Sequence, residues 1–82
     1  MRYCMITFRS VTPAQRGEQV LNQAGIRCYL TRTPRQIAEQ GCGYCLRIGW
    51  TQLSAALQRL ESGGISYQKV YEIREQGKWE EV

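Results

Sequence analysis

The sequence predicts an α+β fold of the ferredoxin-like plan βαββαβ, with a four-stranded antiparallel sheet and both helices on one face. Four β-prone stretches, at residues 3–8, 26–31, 44–48 and 65–73, have the alternation or the β-branched and aromatic content of strands. An amphipathic stretch follows the first and the third of them, so the two halves repeat one strand–helix–strand unit. Right-handed crossovers then give the strand order 4-1-3-2.

Start and stop signals place the two helices. Thr12 is a good N-cap for the first helix, with Pro13 at the first helical position and Gln15 completing a capping box. Gly25 ends that helix. For the second helix, Thr51 is the predicted cap, and the pair of glycines at 63–64 is the predicted stop.

Alternation along the strands separates the residues of each strand into two faces. In the first strand, Cys4, Ile6 and Phe8 are predicted to share one face; in the third strand, Tyr44, Leu46 and Ile48 are predicted to share one face. Cys45 and Arg47 fall on the other side. A longer connection, residues 32–43, joins the second and third strands and includes a candidate helical turn after Pro34.

Length and composition limit the classes of protein to consider. The chain has 82 residues, enough for one small domain, which we place at residues 1–73 with a loose C-terminal tail at 74–82. The N-terminal stretch MRYCMITFRS has the pattern of a strand and lacks the long apolar run of a signal peptide. We therefore expect a cytoplasmic protein, from a bacterium. The formal charge of +4 is compatible with anionic ligands or an acidic partner and does not by itself indicate nucleic acid.

The stretch QGCGYC, residues 40–45, carries the pair Cys42 and Cys45. In the predicted topology the 32–43 connection lies at the same edge as the N-terminus of the first helix. The positive end of that helix and nearby arginines, Arg9, Arg32 and Arg35, would lower the pKa of the Cys42 thiol. The same groups could bind a small anion.

The other two cysteines, Cys4 and Cys28, begin the first and second strands at the opposite end of the sheet. A five-residue strand spans about 15 Å, so all four cysteines cannot meet at one zinc ion. We interpret Cys4 and Cys28 as small buried hydrophobic residues, and we predict no bound metal.

Other interpretations of the pair have less support. Cys42 and Cys45 could be incidental residues in a glycine-rich turn, and a thioredoxin-type pair would open a helix instead of entering a strand. Tyrosines could lie on the open sheet face, as in RNA-binding folds, but the glycine-aromatic pattern of those folds is missing. These tyrosines are Tyr3, Tyr29, Tyr67 and Tyr71. We therefore do not expect a nucleic-acid partner.

The segments MITF, AGI and TPRQI…CGYCLRI resemble the Se/S carrier protein-like family of small bacterial proteins over roughly residues 3–73. The residues that match its motif are Pro34, Arg35, Ile37, Cys42, Gly43, Leu46 and Arg47. The resemblance implies a non-enzymatic carrier in which Cys42 holds sulfur or selenium as a persulfide or perselenide, with no separate cofactor. It also implies a cysteine-desulfurase-type donor and an acceptor such as selenophosphate synthesis.

Within this interpretation, Gly41 and Gly43 leave room for the donor to approach, and Arg35, assisted by Arg32, would stabilise the anionic cargo. Arg35 could instead only support the loop. Cys45 could resolve a persulfide on Cys42 by forming a disulfide, or it could be a small strand residue. Two alternatives to the carrier stay open: a Cys42/Cys45 dithiol redox or metal-binding module, and a partner-binding domain without thiol chemistry. A homodimer through exposed strand edges is also open.

Overall fold

The computed structural model describes residues 2–34, 43–73 and 79–82. Its helices and strands, in chain order, are β1 (Tyr3–Phe8), α1 (Val11–Gln23), β2 (Cys28–Arg32), β3 (Tyr44–Gly49), a 3₁₀ turn (Trp50–Gln52), α2 (Leu53–Ser62), β4 (Val70–Ile73) and β5 (Trp79–Glu81). The fold is therefore α+β, as the sequence predicts. The candidate turn after Pro34 falls outside the described residues.

The strands form one antiparallel sheet in the order β2-β3-β1-β4-β5. The first four strands have the predicted order 4-1-3-2. The predicted number of strands is wrong, because the sheet has five. The fifth strand lies in the segment 74–82 that the sequence indicates as a loose tail, where Trp79 pairs with Ile73 and Glu81 with Tyr71.

The main core lies between the sheet and the two helices. It joins alternate residues of β1 and β3 to apolar residues of α1 and α2, and its fully buried members include Ile6, Phe8, Leu21, Leu46 and Leu60. Burial of such side chains is the main favourable term in folding.

At Gly17, helix α1 lies close to both the sheet and α2. A Cβ atom added there would lie 3.1–3.3 Å from side-chain atoms of Leu60, Leu46 and Phe8. Both helices therefore pack on the same face of the sheet, as predicted.

Both helices end in the same hydrogen-bonded motif. At the end of α1, Gly25 (φ 79°) donates its N–H to the carbonyl of Asn22, and the Ile26 N–H bonds to the carbonyl of Leu21. At the end of α2, Gly64 (φ 70°) and Ile65 repeat the pattern with the carbonyls of Glu61 and Leu60. This is the Schellman motif, in which glycine supplies the left-handed conformation.

Two strands begin later than predicted, beyond the Schellman motifs. The backbone N–H groups of Ile26 and Ile65 bond to the helices that precede them, so neither residue joins the sheet. β2 begins at Cys28, two residues after Ile26, and β4 begins at Val70, five residues after Ile65. Both isoleucines still belong to the core, because their side chains are buried.

The predicted helix caps are wrong by a few residues. Helix α1 has Ser10, with extended backbone, at its N-cap, so Thr12 lies inside the first turn. The first turn of α1 tolerates Pro13, because the first N–H groups of a helix have no hydrogen-bond partner within the helix. Thr51 lies within the 3₁₀ turn, and Gln52 occupies the N-cap of α2.

Within the part of the chain that the structure describes, no helix is long and apolar enough to cross a membrane.

Candidate functional site

Gly43 fixes the chain immediately after the predicted carrier cysteine. Its backbone N–H donates to the carbonyl of Phe8 (3.1 Å), and its carbonyl accepts from the N–H of Thr33 (3.2 Å). Phe8 ends β1, and Thr33 follows the last residue of β2. Gly43 is therefore held at the edge of the sheet where β1 and β2 end and β3 begins, here called the upper edge.

Helix α1 begins at this upper edge. An added Cβ on Gly43 would lie 3.5 Å from the carbonyl oxygen of Arg9, the residue after β1. Ser10 makes no side-chain capping bond to the helix, and the first turn contains no acidic residue. The partial positive charge of the helix N-terminus is therefore not offset by a carboxylate of its own first turn.

The upper edge also carries a cleft of about 530 Å³, here called the upper cleft. Its walls include Arg9, Ser10 and Arg16 from the start of α1, and Tyr67 and Gln68 from the segment before β4. Two guanidinium groups and a helix N-terminus give this cleft a positive potential, which suits an anionic group.

Thr7 holds the second wall of the upper cleft in place. Its backbone N–H donates to the Lys69 carbonyl (2.8 Å), and its carbonyl accepts from the Gln68 N–H (2.7 Å). Its hydroxyl oxygen accepts a further bond from the Lys69 N–H at 3.0 Å. These bonds tie the segment before β4 to the end of β1, although the strand itself begins only at Val70.

Arg32 ends β2 at the same edge. Its guanidinium carbon lies 5.8 Å from the centre of the Tyr44 ring, within the range of a cation–π contact. Tyr44 follows Gly43 directly and pairs with both Phe8 and Arg32. The register therefore places Arg32 opposite the first residue of β3, at the upper edge.

Cys45 lies on the face of the sheet away from the helices and is completely buried. Its sulfur lies 3.4 Å from Met5 Sδ and 3.9 Å from the carbonyl oxygen of Arg32. Burial raises the pKa of the Cys45 thiol to about 11. At neutral pH it is consequently a thiol, which is a poor nucleophile compared with a thiolate.

Cys4 and Cys28 are buried, as predicted, and they lie on the helix-facing side of the sheet. They flank Ile48 in the sheet, so they stand two strands apart, or about 10 Å. Burial raises the pKa of each thiol to about 11. Cys28 also points its sulfur at the carbonyl of Glu18, 3.8 Å away in α1.

The cysteines of the described ranges do not converge on one point. Cys45 projects to one face of the sheet, and Cys4 and Cys28 project to the other. In residues 2–34, 43–73 and 79–82 there is no group of three or more histidine, cysteine or acidic residues that could hold a metal ion.

The predicted site residues divide into two groups. Gly43, Arg32 and Cys45 are described, and the first two meet at the upper edge while Cys45 is buried beside it. Cys42, Arg35 and Gly41 lie outside the described residues.

Sequence reasoning missed the Met5 neighbour of Cys45 and the contribution of Arg16 to the upper cleft. Strand alternation could have placed Met5 and Cys45 on one face. Only the register brings them together. Met5 of β1 pairs with Arg47 of β3 and Thr7 pairs with Cys45, so Met5 and Cys45 are diagonal neighbours.

Residues 3–72 match the model of the family described as "Putative Se/S carrier protein-like". The match covers most of the chain, and the chain belongs to this family. No curated protein matches it.

Proposed function

We propose that this protein carries sulfur or selenium between two enzymes, with Cys42 as the carrier thiol. The donor is an enzyme of the cysteine-desulfurase type that presents a persulfide or perselenide. The acceptor is an enzyme whose own thiolate takes over the sulfane-level sulfur or selenium, such as one that serves selenophosphate synthesis. Family membership supports the class of function, because the family is named for selenium and sulfur carriage.

The observation that carries the assignment to Cys42 is the burial of the other three cysteines. With a pKa of about 11, each of them has roughly one thiolate per ten thousand molecules at pH 7. Transfer of sulfane sulfur needs a thiolate and an approach path for the donor. Cys42 is the cysteine that remains.

The upper edge supports this choice. Gly43, the residue after Cys42, is bonded beside Arg9 and the start of α1. The helix N-terminus, Arg9 and Arg32 favour the anionic form of a thiol or persulfide in their vicinity. Arg35, seven residues before Cys42, is proposed to add a further guanidinium, and Gly41 to leave room for the donor.

The proposed transfer balances without an external oxidant. The Cys42 thiolate attacks the terminal sulfur of the donor persulfide, forming a new S–S bond as the donor's S–S bond breaks. The donor cysteine leaves as a thiolate, and Cys42 becomes the persulfide anion. Attack by an acceptor on that terminal sulfur reverses the exchange and restores the Cys42 thiolate. Selenium follows the same steps.

Cys45 is not required in this scheme. A disulfide between Cys42 and Cys45 would need the Cys45 sulfur to leave its buried position beside Met5 and to lose a proton against a raised pKa. We propose that Cys45 serves as a small packing residue of β3 and that Cys42 exchanges its cargo without it.

The test is intact-protein mass spectrometry after incubation with a cysteine desulfurase and cysteine or selenocysteine. We expect an adduct of one sulfur or selenium atom that a reductant removes. Glutathione persulfide, which needs no protein docking, should give the same sulfur adduct. Cys42→Ser should abolish both adducts, because burial keeps Cys4, Cys28 and Cys45 protonated at neutral pH.

Cys45→Ser and Cys28→Ser are the matched controls, since each removes a thiol of the same chain. Both should retain the adduct at near wild-type yield. An adduct that survives in Cys42→Ser contradicts the assignment of the carrier thiol. An adduct that is lost in Cys45→Ser gives Cys45 a part in the chemistry.

The contact between Cys45 and Met5 favours one other candidate function, binding of a soft metal ion. Thiolate and thioether sulfur are ligands that copper(I) prefers, and the two atoms are 3.4 Å apart. Anaerobic copper(I) titration separates the proposals. Stoichiometric copper that disappears in both Cys45→Ser and Met5→Leu, without any sulfur adduct, would favour the metal module.

Two finer features complete the proposal. The β1–β4 unit with α1 and α2 is a ferredoxin-like core to which β5 adds an edge strand. The protein acts in the cytoplasm, where the reducing environment keeps thiols available.

A further inference from the structure

A second cleft, of about 490 Å³, lies at the opposite end of the sheet, where β1 begins and β3 ends. We call it the lower cleft. The side chains that define it are three arginines and three aromatic residues: Arg2, Arg27, Arg47, Tyr3, Tyr29 and Trp50. The carrier proposal uses none of them, because it concerns the upper edge.

Two of the three arginines make cation–π contacts with aromatic rings. The Arg47 guanidinium carbon lies 4.5 Å from the centre of the Tyr3 ring and 5.8 Å from that of Tyr29. Arg2 lies 5.2 Å from the Trp50 ring. A guanidinium that rests on a ring face keeps its in-plane N–H donors directed outward, where they can bind a phosphate or carboxylate with two parallel bonds.

The lower cleft is positive and contains flat apolar surface. None of the described residues that line it is acidic. Glu72, which lies outside the lining, pairs with Arg2 at 2.5 Å and offsets that one charge. Tyr29 is 58% exposed, so its ring offers area for a planar group to stack on. Arg27 and Arg47 are also exposed and lie beside it.

We propose that the lower cleft binds a nucleoside phosphate. The base stacks on the exposed ring of Tyr29, and the phosphate is bound by Arg27 and Arg47. The arginines alone would suit an inorganic anion, and the aromatic rings alone would suit an apolar ligand. A nucleoside phosphate uses both the arginines and the rings. Base–aromatic stacking and charge-assisted bonds to phosphate are each established sources of binding energy.

The burial pattern favours one nucleotide unit over a long strand of RNA. RNA-binding sheets use exposed aromatic residues across the centre of the sheet. Here Met5, Cys45 and Tyr71, on that face, are all buried. The volume of the lower cleft lies within the range of small-molecule sites. The ligand is therefore a free mononucleotide or the terminal nucleotide of a strand.

Isothermal titration with ADP, adenosine and pyrophosphate tests the proposal on the unmodified protein at low salt. We expect saturable binding of ADP that is at least about tenfold tighter than that of adenosine or pyrophosphate, because only ADP uses both rings and arginines. A hexanucleotide of RNA that binds more than about tenfold tighter than ADP identifies a strand end as the source. Equal or weaker binding identifies the free nucleotide.

Substitutions then locate the site. Arg47→Gln and Tyr29→Ala should each weaken ADP binding by about tenfold, through loss of a phosphate donor and of a stacking surface. Arg59→Gln, at an exposed position of α2 outside the lower cleft, is the matched charge control and should change binding by less than about twofold. The proposal is overturned if no ligand binds, if pyrophosphate binds as tightly as ADP, or if Arg59→Gln weakens binding as much as Arg47→Gln.

Discussion

At the scale of single residues, the environment of each cysteine decides its chemistry. Cys42 and Cys45 are three positions apart in the sequence, but Cys45 belongs to β3 and its side chain is buried in contact with Met5. Cys4 and Cys28 are sealed on the other face by the core. A thiol in apolar surroundings keeps its proton because the anion would lose its hydration.

The pH dependence of stability should report this burial. The pKa of each described thiol rises from an ordinary value of 9.0 to about 11 in the folded protein. Their contribution is therefore complete below pH 9 and is lost as the pH rises toward 11, where the unfolded chain releases protons that the folded chain retains. Urea unfolding should give a lower free energy of unfolding at about pH 10.5 than at about pH 8.

Cys45→Ala provides the comparison, because tyrosines and lysines titrate in the same range. The variant should lose less stability than the wild type between these two pH values, and the difference should equal a third of the part that the three thiols contribute if they contribute equally. A loss equal to that of the wild type would show that Cys45 does not titrate as a buried thiol.

At the scale of helices and strands, glycine positions fix where the helices end. The sequences AGI and GGI each place a glycine one residue beyond the C-cap, with an isoleucine after it that returns to the core. The stop signals were therefore predictable from sequence. The helix starts were not predictable, because the sequence offers more than one acceptable N-cap residue. Ser10 and Thr12 both suit the start of α1, and Thr51 suits the start of α2, so only tertiary packing selects the residue at which each helix begins.

Gly25→Ala should destabilise the protein by about 1 kcal/mol or slightly more, because a side chain at φ 79° is strained. No atom lies within 4 Å of the added Cβ, so the effect is purely conformational. Gly49→Ala is the matched control, since Gly49 also has open space around it but has φ −68° and ψ 143°.

The control should change stability by less than about 0.5 kcal/mol. Urea denaturation of the two variants measures the difference. Equal effects at the two positions would contradict a conformational origin.

At the scale of the whole molecule, the last strand covers the edge of β4 and forms the end of the sheet. β5 pairs with β4 over Tyr71–Ile73, and the Val82 N–H donates to the carbonyl of Val70 at 2.8 Å. Sequence patterning missed this strand because it is three residues long and rich in charge. Only the free edge of β4 gives such a segment a partner.

Removal of residues 74–82 should lower the urea midpoint and cause association that increases with protein concentration, because it exposes the edge of β4. Analytical ultracentrifugation and urea unfolding measure the two effects. Glu81→Gln keeps the strand and removes only the ion pair with Lys69 (3.4 Å), so it should cost at most about 1 kcal/mol. A truncated protein with the stability and the association state of the full chain would show that β5 contributes nothing to the fold.

The candidate site divides in the same way between sequence and structure. Strand order follows from the repeated strand–helix–strand units, and it places Gly43 beside Arg9 without any side-chain detail. The lower cleft could not be predicted, because Tyr3, Tyr29 and Arg47 come from three strands. Their stacking depends on a register that no local pattern specifies.

The sequence by itself determined the order of the first four strands and the two helices, the helix stops, which residues of β1 and β3 share a face, and the family to which the chain belongs. These features depend on local patterns of period 2 or 3.6 and on glycine, which act within a few residues. The tertiary structure alone decided the fifth strand, the burial of Cys45 against Met5, and the arginine–aromatic cleft. Each of those depends on which residues from distant segments meet, and that is fixed only when the whole sheet has formed.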